Sequence, residues 1–118
     1  MLLSASRLYI DNALTVAYNA TYMNGKKIFH QKKRYLDGSI VEMKIWQVKP
    51  DRYRPHGLKY SLAYIEKSKR VIGYDNAERK GDHRHYGQKT KGYEFNDVGT
   101  LMDDFLNDVS DWRKKHED

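Results

Sequence analysis

The sequence predicts an α+β fold, a curled antiparallel β-meander of five or six strands packed against one C-terminal amphipathic helix. Three features carry that expectation. Turn dipeptides recur at regular spacing, apolar side chains alternate at every second residue between them, and one apolar stripe at helical spacing lies near the C-terminus.

Asp11-Asn12 separates a strand at Arg7–Ile10 from one at Leu14–Met23, although Ser4–Asn12 also reads as the start of a helix. Asn24-Gly25 then leads into Lys27–Leu36, and Asp37-Gly38 into Ser39–Val48. Asn-Gly and Asp-Gly suit two-residue hairpins, because the central residues need positive φ and Gly meets that without strain. Val41, Met43 and Ile45 share one face while Glu42 and Lys44 face away. Lys26, Lys27, Lys32, Lys33 and Arg34 load the preceding strand with charge, so one face of the sheet is expected to be open and basic.

Lys49–Gly57, with two prolines, a glycine and alternating Arg52, Tyr53, Arg54 and His56, reads as a loop. Cations beside an aromatic ring suit a phosphate backbone and a stacked base, or simply a polar connector. Leu58–Ile65 and Lys69–Tyr74 form the next hairpin, turning at Lys67-Ser68, with Leu58, Tyr60, Leu62 and Tyr64 on one face. A polar loop follows over 75–92, and Tyr93-Glu94-Phe95 reads as a short strand. The helix is expected over about 97–114. Asn96 or Asp97 can cap it, and Val98, Leu101, Met102, Phe105, Leu106, Val109 and Trp112 make its apolar stripe. That stripe is expected to cover the sheet, with the acidic outer face of the helix then pointing away from the basic face.

The whole chain, 1–118, reads as a single domain. Ten tyrosines within a 39% apolar fraction predict a thin core with phenols at its boundary. The absence of Cys excludes a disulfide framework and a thiolate zinc site. No apolar run approaches the ~18 residues of a membrane span, and the N-terminus lacks the basic and apolar regions of a signal peptide. A cytoplasmic location is therefore expected. Residues 1–93 hold 19 Lys and Arg against 8 Asp and Glu, a net of +11, whereas residues 94–118 carry a net of −5. Such a basic body attracts polyanions, nucleic acid above all, unless its lysines serve only as solvated strand faces.

The segment Val71–Tyr86 begins as a strand and then gathers Asp75, Asn76, Glu78, Arg79, Lys80, Asp82, His83, Arg84 and His85. On an extended backbone His83 and His85 point the same way and Arg84 the other. Three uses remain open. The imidazoles act as general base and acid on RNA, with Arg79, Lys80 or Arg84 on the phosphate. They bind a divalent metal together with Asp75 or Asp82. Or the loop binds nucleic acid or a protein without chemistry. Against these stands a plain polar surface loop. His30 and His116 read as surface residues, and His56 is undecided.

Arg34-Tyr35-Leu36-Asp37-Gly38-Ser39, Lys59-Tyr60-Ser61, Tyr74-Asp75-Asn76-Ala77, Asp82-His83-Arg84-His85 and the helix from Leu101 to Val109 together resemble the TumE-like family of toxin–antitoxin toxin components. The resemblance covers about Lys32 to Val109. It implies a growth-inhibiting protein neutralised by a cognate antitoxin and acting on RNA, with Tyr60, Asp75, Asn76, His83 and His85 as the residues carried over. The expectation that follows is a toxin-like ribonuclease. His83 and His85 work as its acid–base pair, with Asp75 and Asn76 beside them, and Arg79, Lys80, Arg84, Tyr60 and Arg54 hold substrate. No cofactor is needed, or, in the alternative, His83, His85 and Asp75 hold a divalent metal. A non-enzymatic nucleic-acid- or antitoxin-binding role is the competing expectation, and a homodimer is compatible with either.

Overall fold

Lys26–Arg34 (β1), Ile40–Gln47 (β2), Leu58–Glu66 (β3), Lys69–Asp75 (β4), His83–Tyr86 (β5) and Lys89–Gly92 (β6) build one antiparallel sheet in chain order, followed by a C-terminal helix, α1, at Val98–Lys115. These elements belong to a computed structural model that describes residues 25–116. The strands expected at Arg7–Ile10 and Leu14–Met23, with their turn at Asp11-Asn12, lie outside the described residues.

Alternation explains which face is covered. Val41, Met43 and Ile45 on β2 stand opposite Tyr64, Leu62 and Tyr60 on β3, and Leu62 and Tyr64 stand opposite Tyr74 and Ile72 on β4. All eight are buried, together with Val98, Leu101, Met102, Phe105 and Val109 of α1. The helix thus lies on this face, as an amphipathic stripe beside a sheet should. Asp97 is its N-cap, its carboxylate accepting from Thr100 N at 2.7 Å.

The acidic side of α1 does not point away from the sheet. Asp104, Asp108 and Asp111 accept from the phenols of Tyr93, Tyr74 and Tyr86. Each phenol is an apolar body with one polar tip, so the carboxylates satisfy groups that burial would otherwise strand. At the far end of α1, Arg113 lies 3.9 Å over the Tyr35 ring and donates to Ser39 Oγ and Tyr64 OH, both at 2.9 Å. The Asp37-Gly38 turn is wider than a two-residue hairpin, because Asp37 folds back to accept from Ser39 N and Oγ.

The β3–β4 hairpin turns at Lys67-Ser68 as expected, and both residues have positive φ, 50° and 66°. Left-handed backbone costs an ordinary L-residue about 1–2 kcal/mol. Ser68→Gly is therefore expected to raise stability by about 1 kcal/mol after Gly's own entropy cost, read as a higher urea midpoint.

The polar stretch over 75–92 is not all loop. Its second half is the β5–β6 hairpin, turning at Gly87-Gln88. The four residues of β6 are exposed and none is apolar, so backbone pairing alone defines that strand and no alternation marks it. Tyr93–Phe95 is not a strand. Tyr93 packs edge-on against Tyr74 and Phe95 lies against His56, with centroids at 5.0 and 4.1 Å.

Candidate functional site

β4 and β5 pair with Asp75 opposite His83 and Gly73 opposite His85. Tyr74 and Arg84, the residues between, turn toward α1. Asp75, His83 and His85 therefore share the other face, which no described helix covers. His83 Nε2 stands 2.8 Å from Asp75 Oδ1, and His85 Nε2 stands 3.4 Å from Asp75 Oδ2. The two rings lie 5.2 Å apart at 77°.

Each ring is held from behind. His83 Nδ1 is 3.0 Å from the Gly81 carbonyl and His85 Nδ1 is 3.0 Å from Thr90 Oγ1. A carbonyl only accepts, so His83 Nδ1 carries a proton. Its Nε2 faces the Asp75 carboxylate, so both ring nitrogens stand against acceptors. His85 differs. Partial burial pushes its pKa below the ordinary 6.5, Arg70 and His83 add to that, and Asp75 opposes it.

Arg70 is the residue that sequence reasoning missed. Its Nη1 donates to Asp75 Oδ2 at 3.1 Å. Five residues apart on a regular strand, Arg70 and Asp75 would face opposite ways. A β-bulge breaks the parity: Tyr64 pairs with Ile72 but Ile65 pairs with Arg70, leaving Val71 as the extra residue. Gly73 supplies the space. A Cβ there would lie 3.0 Å from Arg70 Cδ and Nε, so the guanidinium reaches Asp75 only because position 73 has no side chain.

The other expected site residues go elsewhere. Arg84 does not reach the open face. Its Nε and Nη2 grip Asp108 at 2.6 and 2.9 Å on the helix side, and that ion pair raises its pKa further. Tyr60 is fully buried beneath the sheet and donates to Asp82 Oδ2 at 2.9 Å, burial above all holding its phenol neutral. Asn76 is fully buried too, accepting from Tyr60 N at 2.9 Å and donating to Leu58 O at 2.8 Å. It fixes the end of β4 rather than reaching a substrate. Arg79 lies over Tyr53 and Lys80 is exposed in the loop before β5; among the described residues the cation bonded to Asp75 is Arg70. Arg54 lies beside Asp51 at the other end of the open face.

His56 proves to be a structural link. Its Nδ1 accepts from Leu58 N and its Nε2 meets Asp82 at 3.1 Å, which anchors the turn whose Gly81 carbonyl holds His83. Gly81 has φ +82°, a backbone that favours glycine.

Fold and site together define a small α+β protein with one face of its sheet packed by a helix and the other carrying a His–Asp–His–Arg cluster. The family model described as Toxin TumE matches residues 5–113, and the chain belongs to that family. It is thus the toxin component of a toxin–antitoxin system, and the family implies an antitoxin partner. Comparisons with curated proteins and with solved structures gave no match. Among the described residues no helix is long and apolar enough to cross a membrane.

Proposed function

We propose that this toxin is a metal-independent endoribonuclease working in the cytoplasm through His85 and His83. The observation that carries the reading is the asymmetry of two imidazoles sharing one carboxylate. His85 is pushed toward its neutral form, a base near neutral pH, whereas both nitrogens of His83 face acceptors, the arrangement of a proton donor. The lowered pKa of His85 suits the base, which leaves the acid role to its neighbour on the same carboxylate.

In the reaction, His85 Nε2 exchanges its 3.4 Å contact with Asp75 for a ribose 2′-hydroxyl and takes its proton, and the 2′ oxygen attacks the adjacent phosphorus. The bond from phosphorus to the 5′ oxygen breaks, and the imidazolium of His83 gives its Nε2 proton to that oxygen. The products are a 2′,3′-cyclic phosphate and a 5′-hydroxyl end. Arg70, Asp75's other partner, neutralises charge that builds on the phosphoryl oxygens. Asp75 holds both Nε2 atoms before substrate arrives and releases them to the reacting oxygens. Arg79 and Lys80, on the exposed loop beside β5, meet phosphates further along the strand.

One observation favours a second reading. Both Nδ1 atoms are held from behind and both Nε2 atoms meet Asp75, with the three donor atoms within 4.8 Å of one another, a set able to take a divalent metal. Arg70 weighs against it, since its guanidinium already sits on the carboxylate a cation would need.

The test is cleavage of an RNA oligonucleotide by purified toxin in excess EDTA. Activity is expected to survive EDTA, to yield cyclic phosphate ends, and to vanish when the 2′-hydroxyls are replaced by hydrogen. Cleavage abolished by EDTA and restored by a divalent metal would select the second reading. Cleavage of the 2′-deoxy strand would end the 2′-hydroxyl mechanism.

A further inference from the structure

We infer that Trp46 is a base-stacking platform for single-stranded nucleic acid on the same open face, upstream or downstream of the reacting phosphate. The inference rests on the ribonuclease reading for its substrate but on separate residues for its evidence.

Trp46 on β2 pairs with Lys27 on β1 and Lys59 on β3, so all three project to the face opposite Ile45 and Tyr60, which are buried under α1. The ring is only partly buried. Lys59 Nζ lies 5.1 Å from its centroid and Lys27 Nζ lies 5.8 Å from it. An indole that only packed a core would sit with the apolar set. This one is set between two ammonium groups on the side of the sheet that no helix among the described residues covers.

Beside it runs a groove of about 550 Å³, lined by Trp46, Val48, Pro50, Arg54 and Lys59 among others. That volume admits a nucleotide. Arg54 Nε is buried there with no hydrogen-bond partner, a donor left over after its guanidinium reaches Asp51. An aromatic face for a base, flanked by cations for the backbone, is the chemistry that binds single strands without reading sequence.

Register gives the spacing to the His–Asp cluster. Trp46 stands opposite Lys59, and Ser61, two residues further on β3, stands opposite Asp75 on β4. Two inter-strand steps and one two-residue step amount to roughly 12 Å, a span a strand crosses within a few nucleotides. Lys44 and Ser61, adjacent to each other across β2 and β3, lie on the way.

The test uses a fully 2′-O-methylated oligonucleotide, which binds but offers no 2′-hydroxyl to activate. Trp112 is the other tryptophan, so the Trp112→Phe protein reports Trp46 fluorescence alone. The oligonucleotide is expected to quench that fluorescence, whereas heparin, a polyanion without bases, leaves it unchanged. Trp46→Ala is expected to weaken binding about tenfold or more and Trp46→Phe much less. Lys27→Gln and Lys59→Gln each lower the slope of log K against log salt by about 0.7. Because Trp46→Ala disturbs a partly buried site, its thermal midpoint is measured alongside, and the two lysine variants test the platform without it.

Equal binding by folded Trp46→Ala, or equal quenching by heparin, overturns the platform. So does a Trp46→Ala protein that loses its antitoxin yet binds RNA normally, which would give this face to a protein partner. If binding depends on Trp46 but the wild type never cleaves RNA, the platform stands and the ribonuclease reading falls. If cleavage persists and binding ignores Trp46, the reverse holds.

Discussion

Alanine at His83 or His85 is expected to lower the rate of RNA cleavage by about 10²–10⁴-fold, while binding of an uncleavable strand changes far less. The two losses should differ in kind. Without His85 the base is missing, and added imidazole should restore part of the rate as pH rises and the free imidazole loses its proton. Without His83 the acid is missing, and a substrate with a better leaving group at the 5′ position should recover most of the rate. Variants cleaving as fast as the wild type would take the histidines out of the reaction.

Arg70 makes the same scheme testable without turnover. Burial is the largest cause of the low His85 pKa, and the charge of Arg70 comes next. Removing that charge relieves repulsion of the imidazolium, so the protonated form gains and the pKa rises. In Arg70→Gln the NMR titration of the His85 ring should therefore move to higher pH than in the wild type, and Arg70→Lys should keep most of the depression. The acid limb of the cleavage profile follows the base, so it should lie below pH 6.5 in the wild type and shift upward in Arg70→Gln. Gly73→Ala should act in the same direction, because its Cβ would occupy the space of Arg70 Cδ and Nε. An unmoved His85 titration in Arg70→Gln would mean that the guanidinium does not govern this ring.

These residues also show what a sequence can and cannot disclose about such a site. Two-residue alternation is local, so it placed Val41, Met43 and Ile45 on the packed face and His83 and His85 together on the other. The same parity sends Arg84 to the helix side, against the role of phosphate ligand that its neighbours suggested. Its true partner, Asp108, is 24 residues away and no local pattern points to it. Arg70 was hidden for another reason: one bulged residue reverses the parity, and a bulge of this kind leaves no mark in a row of Lys, Arg, Val and Ile. The β5–β6 hairpin was hidden because pairing there is all backbone. The helix was the easiest element to read, since its stripe and its cap both lie within its own residues, yet the use of Asp104, Asp108 and Asp111 as phenol acceptors depends on where the sheet's tyrosines fall.

Asn76→Ala is expected to cost about 3 kcal/mol of stability, because it strands two buried backbone groups at about 1–3 kcal/mol each. The Asn76 side chain continues the β3–β4 ladder past the last residue of β4. Its Oδ1 accepts from Tyr60 N and its Nδ2 donates to Leu58 O, and the residue is wholly inaccessible. The urea midpoint should fall accordingly, and the thermal midpoint by more than about 10 °C. Asn76→Asp separates hydrogen bonding from shape. It keeps the acceptor for Tyr60 N but sets an oxygen against the Leu58 carbonyl, so the carboxyl donates only when protonated. Its folded-state pKa is then raised, and its deficit relative to the wild type is full above that pKa and shrinks as pH falls through it. This divides the neighbouring pair. Asp75 turns to the open face and its loss should stop cleavage with little unfolding, whereas Asn76 turns inward and its loss should loosen the end of β4 that carries Asp75. A wild-type urea midpoint in Asn76→Ala would show that the ladder does not need this side chain, and the fixed position of Asp75 between its two histidines would then require another cause.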